Sequence, residues 1–221
     1  MANLYGPRIV TDGLVFNVDA ANKKSYPGSG TTWFDLSGNA NNGTLTNGPT
    51  FDSNNGGSIF FDRTNDEVIF GNSASLQITV GTIAAFFKAT NLNTSVHGLI
   101  AKQSAWGLFV WGNVLRTYDW GNSTVRSSSA TVGNNQWYYA AMTFTQTVGT
   151  PSNNAIIYLD GNAILTTTVK HSNHNVTLQI GDANANQQFG GNVAQASVYN
   201  RVLSAEEIKE NYNALKGRFG K

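Results

Sequence analysis

Short apolar or alternating runs recur along this chain, separated by clusters of Gly, Asn, Asp and Ser. They fall at 14–19, 58–62, 67–70, 82–88, 98–102, 107–111, 114–119, 137–145, 155–160, 163–169, 176–180 and 192–199. Runs of this length between turn signals predict the strands of a sandwich, not alternating strand and helix units. In 82–88, Ile83, Ala85 and Phe87 share one face, as every second residue of a strand does. In 137–145, Tyr138, Ala140, Met142 and Phe144 line one face and Tyr139, Ala141 and Thr143 the other. Both faces are rather apolar, which predicts a central strand in a two-sheet stack. Asp160-Gly161, between two such runs, is the strongest hairpin signal. Ser104-Ala105 reads as another short turn, and 39–48 and 53–57 read as loops.

The pattern changes once, near the end, where helix signals converge. Ser204 with Glu207 three residues on makes a capping box, and Leu203 with Ile208 makes a hydrophobic staple. Glu206 and Glu207 suit the positive start of a helix, and Lys216 suits its negative end. Ile208, Tyr212 and Leu215 fall on one face, and Gly217 is the expected residue just past the last turn.

Composition narrows the class. Hydrophobic residues make up 40% of the 221 residues and charged residues 12%, a β-rich, turn-rich balance rather than a disordered one. The expected organisation is a single domain over 13–221 preceded by a segment, 1–12, that acts as an arm docking on a neighbouring subunit or as a lead-in strand. A net charge of +1, without local basic clustering, argues against nucleic acid as a partner. No apolar run approaches the ~18 residues that span a bilayer, so membrane insertion is not expected. The absence of cysteine removes disulfides, thiolate catalysis and cysteine metal sites. The start, Met1-Ala2-Asn3-Leu4-Tyr5-Gly6-Pro7-Arg8, has no basic region followed by an apolar run, so no signal peptide is expected.

Four blocks carry a family resemblance: Gly13-Leu14-Val15-Phe16 with Asp19 and the stretch Trp33-Phe34-Asp35-Leu36-Ser37-Gly38; Ile59-Phe60-Phe61-Asp62 with Asn65-Asp66-Glu67-Val68; Gln136-Trp137-Tyr138-Tyr139 with Tyr158-Leu159-Asp160-Gly161; and Gly190-Gly191-Asn192-Val193 running through Val198-Tyr199-Asn200-Arg201-Val202-Leu203-Ser204. Their content and order resemble the laminin-G-like, concanavalin A-like jelly rolls. The fold this implies is all-β, a two-sheet antiparallel jelly-roll sandwich with one short C-terminal helix. Such a fold serves many roles.

Candidate chemistry is sparse. Glycoside hydrolysis needs two carboxylates about 5–10 Å apart. Three of the four Glu lie in the terminal helix segment, and the fourth, Glu67, follows Asp66 directly, so the two point to opposite faces of a strand. With no nucleophile elbow or phosphate loop either, no catalytic residue is expected. His171 and His174 lack a third ligand for zinc. Calcium is the candidate ion, though no cofactor is required. Asp182, Asn184 and Asn186 repeat an oxygen ligand at every second residue, in a region where the related pentraxins bind calcium, and Asp35 sits in a second oxygen-rich loop. Asx-turns fold such loops equally well without an ion.

The aromatics Trp106, Trp111, Tyr118 and Trp120 crowd one stretch together with Asp119. They suit a sugar site, where rings cover the apolar face of the sugar and polar groups fix its hydroxyls. The competing and more ordinary reading is that these rings pack the sandwich core or a subunit contact. Trp106 and Trp120, each beside a Gly-containing turn, are expected to be the exposed pair, and Trp111 to face inward.

The openings Gly13-Leu14-Val15, Asp19-Ala20-Ala21-Asn22 and Ser25-Tyr26-Pro27-Gly28-Ser29-Gly30 are similar to those of bacteriophage virion proteins. That resemblance implies a non-enzymatic structural or display protein of the virion, a capsid decoration or tail appendage made in the host cytoplasm. Its expected partners are further copies of itself, other virion proteins and cell-surface glycans. The alternative is a carbohydrate-binding module or lectin of a bacterial protein.

Overall fold

A computed structural model of the chain describes residues 8–146, 152–170, 175–183 and 187–221. Among them, strands assemble into two antiparallel sheets of eight. The first sheet contains β1 (Leu14–Asp19), β4 (Thr50–Asp52), β5 (Ser58–Asp62), β7 (Val80–Ala89), β12 (Trp137–Thr145), β13 (Ala155–Leu159), β14 (Asn162–Thr167) and β16 (Gly190–Tyr199). The second contains β2 (Thr32–Trp33), β3 (Gly43–Thr46), β6 (Glu67–Ile69), β8 (Val96–Lys102), β9 (Trp106–Trp111), β10 (Val114–Asp119), β11 (Thr124–Thr131) and β15 (Leu178–Ile180). In the first sheet the order is β14-β13-β12-β7-β16-β5-β4, and β1 lies along the same side of β16 as β5, end to end with it. In the second the order is β11-β10-β9-β8-β15-β6-β3-β2. This is the expected all-β sandwich, closed by one helix, α1 (Ala205–Lys216).

The core lies between the inner faces. Phe16, Phe61, Phe87, Met142 and Phe144 from the first sheet meet Trp33, Phe70, Trp106, Leu108 and Ile180 from the second. Strand β12 buries both faces for a reason the alternation did not reveal. Ala140, Met142 and Phe144 point into the sandwich, whereas Tyr139 and Ala141 point outward and are roofed by α1. Under that helix, Phe86 stacks on Phe219 at 4.2 Å, and Trp137 tilts against Phe219 at 4.4 Å. Ile9 and Val10 join this outer cluster, and the Val10 amide donates to Asn211 Oδ1 at 2.7 Å. The described part of the lead-in segment thus docks on its own helix.

The helix start forms as its residues dictate. Ser204 Oγ accepts from the Glu207 amide at 3.2 Å, and Glu207 Oε2 accepts from the Ser204 amide at 2.8 Å. Leu203 and Ile208 are both buried. Arg201 adds a two-pronged ion pair to Glu207. Those bonds from Arg201 hold the Glu207 carboxyl down at about 2, against an opposing push from burial.

Some expectations need correction. Gly217 is not left-handed: its φ is −59°, the chain continues into a 3-10 turn over Gly217–Phe219, and Gly220 takes the left-handed turn at φ 69°. Segment 39–48 is not wholly loop, because Gly43–Thr46 pairs with β2 and β6. Strands β2, β4 and β11 also escaped the pattern. Two are very short, and β11 is an edge strand whose Arg126, Ser127 and Ser129 leave little alternation to see. The Asp160-Gly161 and Ser104 turns form where expected, with φ of 49° and 77° in the first and 72° in the second.

Candidate functional site

The aromatic stretch becomes a tight hairpin. Gly112 and Asn113 both take positive φ, 60° and 62°, the turn geometry that matches strand twist. This turn sets the register of β9 on β10: Trp111 faces Val114, Val110 faces Leu115 and Phe109 faces Arg116. Val110 and Leu115 enter the core. By alternation Phe109, Trp111, Arg116 and Tyr118 emerge together on the outer face of the second sheet. Val96 of β8 lies beside Trp111 and Val125 of β11 beside Tyr118. Together with Trp120 these residues line a groove of about 470 Å³.

Its walls are aromatic. Tyr118 meets Trp120 edge-on at 5.4 Å, and Phe109 meets Trp120 at 6.1 Å. The Arg116 guanidinium lies over the Trp111 ring, 5.0 Å from its centroid. Gln103 and Gln187 also line the groove, and among the described residues no carboxylate does.

Three of the five proposed sugar contacts therefore come together, namely Trp111, Tyr118 and Trp120. The other two do not. Trp106 is fully buried and packs on Phe144 at 6.1 Å, because it shares the parity of Leu108 and Val110. The expectation for Trp106 and Trp111 is thus reversed: Trp106 faces inward and Trp111 is the partly exposed ring. Asp119 is also fully buried. It pairs with Arg126 at 2.8 Å and accepts from Asn122 and from the Lys170 amide. Burial alone would raise its carboxyl, but these partners outweigh it and hold the group below the ordinary range. It braces the strand end and does not line the groove. Arg116 and Phe109 were legible in the parity of a two-residue hairpin, whereas Gln103 and Gln187 reach the groove only through the fold.

The calcium candidates separate into loops. Asp35 Oδ1 accepts from the Asn17 and Ser37 amides, and Oδ2 from Ser37 Oγ and the Asn41 amide. That carboxylate organises its own loop. Asp182 is buried, and its Oδ1 accepts from the Ala183 amide at 2.6 Å. Asn184, Asn186, His171 and His174 lie outside the described residues. Among the described residues, no three His, Cys, Asp or Glu side chains cluster as metal ligands.

A two-sheet antiparallel sandwich carrying an aromatic groove on an outer sheet face defines the class as lectin-like jelly rolls. The chain belongs to the concanavalin A-like lectin/glucanases superfamily, whose family model matches residues 62–209. Solved structures share the fold at low identity. The binding domain of Paraclostridial mosquitocidal protein 1 is 17% identical at a TM-score of 0.69, over 91% of this chain and 52% of that one. Trypanosoma rangeli sialidase in complex with sialic acid is 14% identical at a TM-score of 0.69, over 93% of this chain and 33% of that one. Domain 4 of AbnA, a GH43 extracellular arabinanase from Geobacillus stearothermophilus, in complex with arabinotriose, is 13% identical at a TM-score of 0.68, over 90% and 98% of the two chains. The chain thus spans about half of the first of these and a third of the second. A search of curated proteins gave no match. Among the described residues, no helix is long and apolar enough to cross a membrane.

Proposed function

We propose that this domain is a non-enzymatic glycan-binding module, and that the groove on the outer face of the second sheet is its sugar site. The observation that carries this reading is the gathering of Trp111, Tyr118 and Trp120 around one open groove of about 470 Å³. Rings at this spacing suit the apolar face of a pyranose or furanose, and polar groups at the rim suit its hydroxyls. The arabinotriose bound to the AbnA domain supports it as a precedent for the fold. The lack of a lining carboxylate argues against glycoside hydrolysis at this groove.

Trp111→Ala and Trp120→Ala are expected to weaken binding on a glycan array, followed by titration calorimetry, by about ten-fold or more each. Trp106→Ala is expected to act differently: it opens a core cavity and costs about 3–5 kcal/mol of stability. Undiminished binding by both groove variants, or no binding by the parent protein, rejects the reading.

The virion is the setting we propose, with copies of the module displayed on a capsid or tail appendage and meeting cell-surface glycans. The similarity of the 13–30 segment to phage virion proteins supports it. Mass spectrometry of purified particles tests it, and absence from the particles counts against it. No cofactor is needed on this reading. Melting curves with saturating calcium and with chelator are expected to coincide, since an ion bound to the native state alone must raise the midpoint; a shift of several degrees would restore calcium as a ligand.

A further inference from the structure

The residues lining the groove include three polar atoms without partners among the described residues. Arg116 Nε, Gln103 Oε1 and Gln187 Oε1 are each buried and make no hydrogen bond among the described residues, yet all three side chains line the same groove. A buried polar atom without a partner costs roughly 1–3 kcal/mol. Three such atoms around one cavity are groups that a bound molecule can satisfy once their side chains turn toward it. The charge balance is equally uneven. Arg116 is the charged residue lining the groove, and the ion pairs among the described residues do not include it. By contrast the nearby Arg126 is neutralised by Asp119. What holds the Arg116 guanidinium is the face of Trp111. Stacking fixes the plane of the cation while leaving its edge unpaired.

We propose, resting on the reading of this groove as a sugar site, that its ligand is an acidic glycan, whose carboxylate pairs with Arg116 while Trp111 and Trp120 cover the sugar ring and Gln103 and Gln187 bond its hydroxyls. Arg116 suits a carboxylate because the planar guanidinium edge presents two parallel N–H donors that match two carboxylate oxygens. The flanking aromatic surface excludes water and strengthens that pairing. Each glutamine is long enough to turn its amide into the groove, where it accepts from a hydroxyl or donates to one. A neutral sugar uses the rings and the amides but leaves the arginine unpaired.

The test compares matched sugars by titration calorimetry: sialyllactose against lactose, oligogalacturonate against galacto-oligosaccharide, and a sulfated oligosaccharide as a third arm. The carboxylated member of at least one pair is expected to bind about ten- to hundred-fold tighter, the worth of a charge-assisted hydrogen-bonded contact. Added salt should narrow the gap. Arg116→Gln is expected to bring the acidic-to-neutral ratio close to one, and Arg116→Lys to recover little of it, because an ammonium cannot form the paired contact. Circular dichroism and the melting midpoint establish that each variant is folded. Equal binding of acidic and neutral sugars, binding confined to the sulfated arm, or an unchanged ratio in Arg116→Gln overturns the acidic preference and leaves the sugar site standing. No binding to any sugar, or no response to Trp111→Ala and Trp120→Ala, removes the sugar site itself.

Discussion

Replacing Gly191 with alanine is expected to cost roughly 3 kcal/mol or more, a large share of the ~5–15 kcal/mol that separates a folded domain from its unfolded chain. Gly191 sits in β16, where the strand passes between β5 and β7, opposite Phe61 on one side and Ala89 on the other. Its φ is +135°, a backbone state that side chains rarely adopt. A Cβ there would stand 2.1 Å from the Lys88 carbonyl oxygen and 2.9 Å from the Ala89 Cα. Both are backbone atoms of the neighbouring strand, so relief requires prising two paired strands apart. Gly217 is the contrast. Its φ is −59°, and a Cβ meets nothing within 4 Å. Gly217→Ala should therefore be neutral or stabilise by about 0.5–1 kcal/mol. Urea unfolding of both variants makes the comparison, and a Gly191→Ala midpoint equal to the parent's would refute this account of the strand.

Acid is expected to destabilise the protein well before most carboxylates titrate, through His97. Its side chain is fully buried in β8, and neither ring nitrogen makes a hydrogen bond of normal geometry among the described residues. Burial pushes the imidazole down to about 4 from 6.5, the Arg63 charge adds to the shift, and the nearby Gln188 backbone only softens it. The unfolded chain therefore takes up this proton at a higher pH than the folded one. Stability is complete above pH 6.5 and falls as the pH drops towards 4, by about 3 kcal/mol for one group. Glu207, held down at about 2 by Arg201 from a usual 4.5, contributes a separate loss only below that range. Urea midpoints at pH 7.5, 5.5 and 4 should show the fall for the parent and a flatter profile for His97→Gln. Parallel profiles would mean that another group drives the acid response.

The helix and its entrance were legible because capping is local. Leu203, Ser204, Glu207 and Ile208 lie close together along the chain, and their contacts depend on little beyond that segment. The long central strands were legible for a similar reason, since Val80–Ala89 and Trp137–Thr145 carry enough apolar side chains to mark themselves. Strands at the sheet edges face solvent on one side and pair on the other, so Thr124–Thr131 kept a polar sequence that reads as loop. Gly217 misled because a glycine permits a left-handed turn without requiring one.

For the groove, the sequence supplied the aromatic content but not the side on which each ring falls. Trp106 and Trp111 differ by five positions in one strand and so point to opposite faces; nothing local says which face is the core. That choice was made by where the second sheet meets the first, which buries Trp106 against Phe144 and turns Trp111 outward beside Arg116. Likewise Gln103 and Gln187 are brought to one cavity by β8 and the segment leading into β16, whose pairing is long-range. What the sequence determined by itself was the alternation, the hairpin turns and the helix cap, each governed by neighbours a few residues away. What only the tertiary structure decided was which face of each strand became interior and which distant polar groups came to line one cavity, because burial and hydrogen-bond satisfaction belong to the assembled sheets.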